Sequence, residues 1–141
     1  MGISESPQKS FTPYQPKKGE PYMGEKQKDH FRHILHAWRD ELSAEMDRAR
    51  HRMQDETVNY PDPTDRATQE SEMTLELRTR DRERKLIRKI EETLDQIDAG
   101  EYGFCESCGA EIGLRRLEAR PTATLCIDCK SLAEIRERQM G

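Results

Sequence analysis

Residues 31–53, FRHILHAWRDELSAEMDRARHRM, decide the fold. Phe31, Leu35, Trp38, Leu42, Met46, Ala49 and Met53 recur at steps of 4, 3, 4, 4, 3 and 4. That spacing lays one narrow apolar seam along a helix, close to heptad repeat, with a one-residue slip at Met46 that resembles a stutter. No proline or glycine falls between Glu25 and Thr57. At ~1.5 Å per residue such a helix is a rod about 50 Å long.

The seam matters because composition alone points elsewhere. Charged residues make up 37% of the chain and apolar ones 33%, with only 22 Leu, Ile, Val and Phe among 141 residues. That balance is common in disordered chains. A long helical hairpin is the alternative, since it needs one apolar stripe per helix and leaves the other faces charged. The periodicity selects the hairpin. The same composition excludes a large core, so any globular part needs support beyond apolar burial.

A second seam, Met73, Leu77, Ile87, Ile90, Leu94 and Ile97, has a gap in its middle and predicts a helix from near Asp62 to Asp98. The stretch NYPDPTDRATQE, residues 59–70, joins the two. Pro61 biases Tyr60 towards extended backbone and ends the first helix. Asp62 suits the N-cap, Pro63 the first helical position, and Asp65 the first turn near the helix dipole. AGEYG, residues 99–103, supplies the stop. So short a link forces the helices antiparallel. The expected fold is mainly α: a long antiparallel coiled-coil hairpin over residues 23–100 with its acidic tip at 58–67. A flexible tail precedes it at 1–22, where four prolines fall. Residues 101–141 complete the chain as a small four-cysteine finger and a short C-terminal helix over 130–139, whose Leu132 and Ile135 are expected to close the knob.

CESCGAEIGLRRLEARPTATLCIDC, residues 105–129, places Cys105 and Cys108 in one CxxC pair and Cys126 and Cys129 in another, 17 residues apart. Each CxxC knuckle presents two thiolates from one tight turn, and Gly109 lets the backbone fold around the first. Four protein ligands make a closed, structural Zn²⁺ site rather than a catalytic one. A redox dithiol needs only one such pair. DNA-reading four-cysteine fingers share this spacing, but residues 101–141 hold six Lys and Arg against seven Asp and Glu, a poor balance for gripping phosphates. His30, His33, His36 and His51 all fall on the first helix. His33 and His36 are expected on an exposed face, with no thiol or carboxylate partner evident.

The net charge of −4 argues against nonspecific polyanion binding. There is no apolar run of ~18 residues for a transmembrane helix and no secretory signal pattern, so a cytoplasmic protein is expected. Charge is segregated along the hairpin. Between Asp55 and Glu76 there are seven acidic residues and one basic residue, Arg66. Between Arg78 and Lys89 seven basic residues face only Asp81 and Glu83. Arg78, Arg82, Lys85 and Lys89 share one helix face. Arg115, Arg116, Arg120 and Lys130 are placed to approach its base, and such a convergence suits a small, highly phosphorylated ligand.

NYPDPTDRATQE, LELRTRDRERKLIRKIEETL and GFCESCGAEIGLRRLEARPTATLCIDCKSLAEIR, together with HFRHILHAWRDEL, resemble the DksA/TraR family of zinc-finger transcription factors over roughly residues 22–140. The resemblance implies a bacterial regulator that binds RNA polymerase rather than DNA. Its coiled coil would enter the secondary channel and alter promoter-complex stability together with guanosine tetraphosphate, in the stringent response. Ribosomal RNA promoters would be repressed and amino-acid biosynthesis promoters favoured. Carried over by motif, Asp62, Asp65 and Ala67 would form the functional tip. Arg82, Lys85, Leu86, Lys89, Arg120 and Lys130 would face the alarmone. Cys105, Cys108, Cys126 and Cys129 keep all four zinc positions.

The leading expectation is therefore a monomeric, non-enzymatic polymerase regulator without membrane or sequence-specific DNA binding. Two alternatives remain: a transcript-cleavage factor whose tip carboxylates hold Mg²⁺, and a zinc-finger DNA binder.

Overall fold

The computed structural model describes residues 11–55 and 62–140. The described residues form four helices: α1 (Glu25–Asp55), α2 (Pro63–Asp98), α3 (Leu114–Ala119) and α4 (Ile127–Met140). Residues 58–61 of the expected tip, like 1–10 of the expected tail, lie outside the described residues. Asp62 caps α2 in an extended conformation, its Oδ1 accepting from the Thr64 amide at 3.0 Å, and Pro63 takes the first helical position. At the other end the amides of Ala99, Gly100 and Glu101 bond back to the carbonyls of Asp95, Ile97 and Gln96, which closes α2.

Cross-helix pairs show the antiparallel register. Arg32 meets Asp98, Arg80 meets Glu45, and Arg52 meets Glu76. The inner half of the hairpin is apolar: Phe31, Ile34, Leu35, Trp38 and Leu42 of α1 bury against Ile90, Leu94 and Ile97 of α2. This core runs on into the knob through Tyr102, Ile112, Leu117, Cys105 and Cys126.

The outer half departs from the apolar pattern in an instructive way. The gap in the second seam is filled by charge, because Arg80 and Glu83 are buried at 9% and 4% exposure. With Glu76 they continue an unbroken heptad through Met73, Ile87, Ile90, Leu94 and Ile97. On α1 the same holds. Positions 42, 45, 49 and 52 keep heptad spacing, but Arg52 is exposed while Met46, Ala49 and Met53 are buried or half-buried, so the one-residue slip at Met46 stands beside it. Glu45, half-buried, and Arg52, exposed, hold charges at these positions, with half-buried Met46 and Met53 beside them. Leu77, expected in the seam, is 55% exposed, one residue away from the seam position Glu76.

Two further expectations change. Residues 11–22, expected as a flexible tail, lie against the knob: the Tyr14 amide donates to Glu118, and the Tyr22 hydroxyl bridges Gly103 and Gly113. The aromatic rings of this segment provide packing that its proline-rich composition conceals, with Phe11 and Tyr14 set against His30 and Tyr22 against Phe104. The C-terminal helix does not close the knob either. α4 buries no residue, and Leu132 and Ile135 are 53% and 48% exposed. The knob is closed instead by Leu117 of α3, by Tyr102 and by the cysteines.

Candidate functional site

The four cysteines converge. All their sulfurs lie within 4.8 Å of one another, and Cys108 Sγ sits 3.7 Å from Cys126 Sγ. Four Zn–S bonds of ~2.3 Å in a tetrahedron require S–S edges of about 3.8 Å, so the donor set fits Zn²⁺. The first knuckle turns at Gly109, whose φ of 78° is in the left-handed region and whose amide bonds to the Cys105 carbonyl at 2.9 Å. The second is the first turn of α4, where the Lys130 amide bonds to the Cys126 carbonyl. The Cys126 backbone, with those of Cys108 and Ser107, holds the Cys105 thiol down at about 6, towards the thiolate that binds metal. Crowding by the sulfurs of Cys126, Cys105 and Cys108 pushes Cys129 up to about 12. A cation among the sulfurs would offset this crowding of like charge.

Beside the knob lies a cleft of about 380 Å³ between the inner part of α2 and the finger. Arg82, Lys85, Leu86 and Lys89, with the carboxylate Glu83 among them, line one wall, and Arg116, Arg120, Lys130 and residues 122–125 line the other. Leu42 of α1 also lines it. The structure thus brings together all six residues carried over to the alarmone and adds Arg116. Among the described residues, Arg82, Lys89 and Arg120 have no ion-pair partner, which leaves three cations open to an anionic ligand. Lys85 is paired within its own helix, with Asp81, four residues earlier, at 3.2 Å. Arg116 is anchored by its Nε, which donates to the Leu125 carbonyl at 3.0 Å. Arg78 and Arg115 do not line the cleft.

The tip presents Asp62, Asp65 and Ala67, all exposed at the start of α2. Counting 20 residues along α2 from Asp65 to Lys85 puts the tip about 30 Å from the cleft. His33 and His36 are exposed as expected, and so is His51, but His30 is not of that kind. Its Nε2 lies 2.8 Å from Glu118 Oε2, an 88-residue separation that no local pattern reveals.

The match to known proteins follows this division. Residues 27–97 match the family model described as DnaK suppressor protein DksA, N-terminal domain, and residues 100–134 match the prokaryotic dksA/traR C4-type zinc finger. The chain belongs to the DksA family. It is 66% identical over 129 residues to the RNA polymerase-binding transcription factor DksA of Escherichia coli K12, covering 92% of this chain and 85% of that one. The DksA of Haemophilus influenzae is 62% identical, over 92% of this chain and 89% of its own. The solved structure of transcription factor DksA2 from Pseudomonas aeruginosa superposes with a TM-score of 0.79 at 43% identity, over 88% of this chain and 94% of that chain. These relatives are named as transcription factors rather than enzymes. Among the described residues no helix is long and apolar enough to cross a membrane.

Proposed function

We propose that this chain is an RNA polymerase-binding regulator of transcription, with guanosine tetraphosphate held between its cationic cleft and the polymerase. The observation that carries the ligand reading is the cleft itself. Cations from α2 and from the finger, far apart in sequence, face one another across a gap of ligand size. Arginines grip phosphate oxygens in pairs, and lysines add compact charge. Leu42 and Leu86 supply apolar surface suited to a purine base.

The tip does a different job. The hairpin would enter the secondary channel, where Asp62, Asp65 and Ala67 would lie near the polymerase active-site region. There the carboxylates alter the electrostatics of promoter complexes, repressing ribosomal RNA promoters and favouring amino-acid biosynthesis promoters. The tip is too far from the cleft to touch the alarmone, so the ligand acts by setting how the hairpin sits rather than by direct contact. Asp62 also spends one oxygen on its cap, which suits an electrostatic role better than a Mg²⁺-chelating, RNA-cleaving one. Cys105, Cys108, Cys126 and Cys129 would hold the Zn²⁺ that fixes the finger wall of the cleft.

The test is purified transcription from a ribosomal RNA promoter with the alarmone titrated. Lys89→Ala and Arg120→Ala should still compete for polymerase yet need at least about tenfold more alarmone, the loss expected for one charge-assisted contact. Wild-type alarmone response in both variants would remove the ligand reading.

A further inference from the structure

The finger wall of the cleft rests on a short helix, which the knob holds through Leu117, fully buried in the core. α3 has only six residues, yet Arg116 lies on it and Arg120 caps its C-terminus. A second hold on α3 comes from the opposite end of the chain. Glu118, 7% exposed, is on the same helix. Its Oε2 accepts from the Tyr14 amide at 2.8 Å and meets His30 Nε2 of α1 at 2.8 Å, while Oε1 lies 3.8 Å from Arg115. Tyr14 is itself tied down, its hydroxyl donating to Glu20 at 2.6 Å, and Glu20 also accepts from Gln27 of α1. Tyr22 donates to the Gly103 carbonyl and accepts from the Gly113 amide, just before α3 begins. Residues 11–24 therefore form a strap that binds the finger to the base of the coil.

We propose that Glu118 is a positioning residue for the cleft: clamped by the strap and by α1, it fixes α3 and so aims Arg116 and Arg120 across the gap at Arg82 and Lys89. The transmission is short. The Arg120 amide bonds to the Arg116 carbonyl at 2.8 Å, and Arg116 Nε holds the Leu125 carbonyl, so the wall over residues 120–125 moves with α3. Tyr102 pins the same wall from behind, its hydroxyl donating to the Pro121 carbonyl. A buried carboxylate with two donors is costly to remove, because both donors then lose their partner. This reading deepens the proposed cleft and rests on it for the ligand, but the clamp can be tested without any ligand.

The experiment compares the full chain with Glu118→Ala, Glu118→Gln and Tyr22→Phe, all zinc-loaded. The first readout is the Arg116 Nε–H resonance, with amide exchange over residues 114–120, in the free protein. Glu118→Ala should release the Arg116 Nε–H and raise exchange in α3 about tenfold, with unchanged exchange over residues 83–97 of α2. Glu118→Gln keeps an acceptor for Tyr14 and should restore much of the protection, whereas Tyr22→Phe should loosen α3 partly. The second readout is guanosine tetraphosphate needed for half-maximal effect with polymerase, which Glu118→Ala should raise about tenfold while polymerase competition is unchanged. An undisturbed Arg116 Nε–H and α3 in Glu118→Ala would overturn the proposal. So would a loosened α3 with wild-type alarmone response. If wild type itself ignores the alarmone, the cleft reading fails, and the resonance alone then decides whether the clamp exists.

Discussion

The inner and outer halves of the same hairpin are built on opposite principles. Near the knob, α1 and α2 meet through Phe31, Leu35, Leu42, Ile90 and Ile97, none of them exposed to solvent. Towards the tip the same heptad positions hold Glu45, Arg52, Glu76, Arg80 and Glu83, with Ala49 as the buried apolar residue among them. Arg80 is the centre of this charged seam. It lies 2.8 Å from Glu83, 3.7 Å from Glu76 and 3.8 Å from Glu45, and donates to the Glu45 carbonyl. Apolar burial gives a rigid base for the cleft. A charged seam fixes register while adding little adhesion, because desolvation offsets most of the Coulomb gain. The half that would enter a channel is thus the less strongly bound one.

The largest effect should come at the base. Removing zinc with a chelator, or changing Cys126→Ser, takes away a metal contribution of about 10 kcal/mol or more. Amide protection over residues 105–130 should vanish, while circular dichroism retains most of the hairpin helix. Loss of both together would mean that the hairpin does not stand apart from the finger.

Next comes the charged seam, where single and double changes should differ in sign. Arg80→Leu leaves Glu83 buried without its partner and should cost about 3–5 kcal/mol in urea unfolding. Arg80→Leu with Glu83→Leu should recover that loss or exceed wild-type stability. If the double variant is as damaged as the single one, the seam contributes more adhesion than the account allows.

Apolar truncation measures the other side. Ile90→Ala should cost about 2–5 kcal/mol, in the range for a fully buried side chain. Met73→Ala, half-buried towards the tip, should cost under about 1 kcal/mol by comparison. Equal costs would erase the distinction between the halves.

The smallest effect is that of pH. Burial raises the Glu83 carboxyl above its ordinary value of 4.5, with Arg80 opposing and Glu45 and Glu76 adding to the shift. The folded state therefore holds this proton more tightly than the unfolded one. Its contribution is complete below the ordinary value and is lost as pH rises through the raised one. Arg48 lowers Glu45, whose contribution is instead present above the ordinary value and lost as pH falls. Glu83→Gln should remove the decline on the rising side, visible as a flatter dependence of stability on pH from about 4.5 upward.

Much of this was legible in the sequence, for physical reasons that can be named. Proline, glycine and an aspartate cap mark helix ends locally, so α2 starts and stops where Asp62 and the AGEYG stretch place it. Thiolate pairs at finger spacing have few other uses. The basic residues of the cleft were visible because 3- and 4-residue steps put Arg82, Lys85 and Lys89 on one face. The charged seam was not visible, since Arg80 and Glu83 look like solvent-facing residues until the partner helix is in place. The strap was hidden for the converse reason: Tyr14 and Tyr22 sit among prolines and lysines, and their partners Glu118, Gly103 and Gly113 are far along the chain. Leu132 and Ile135 misled because apolar residues on a short helix suggest burial, yet α4 packs nothing over them.

The central claim is that the two ends act separately, the cleft by binding and the tip by charge. One purified transcription experiment at a ribosomal RNA promoter tests it, comparing wild type with Asp65→Asn, which leaves the Asp62 cap in place. The account predicts that Asp65→Asn competes for polymerase as wild type does but loses most repression, with or without guanosine tetraphosphate. Repression by Asp65→Asn equal to that of wild type would contradict it.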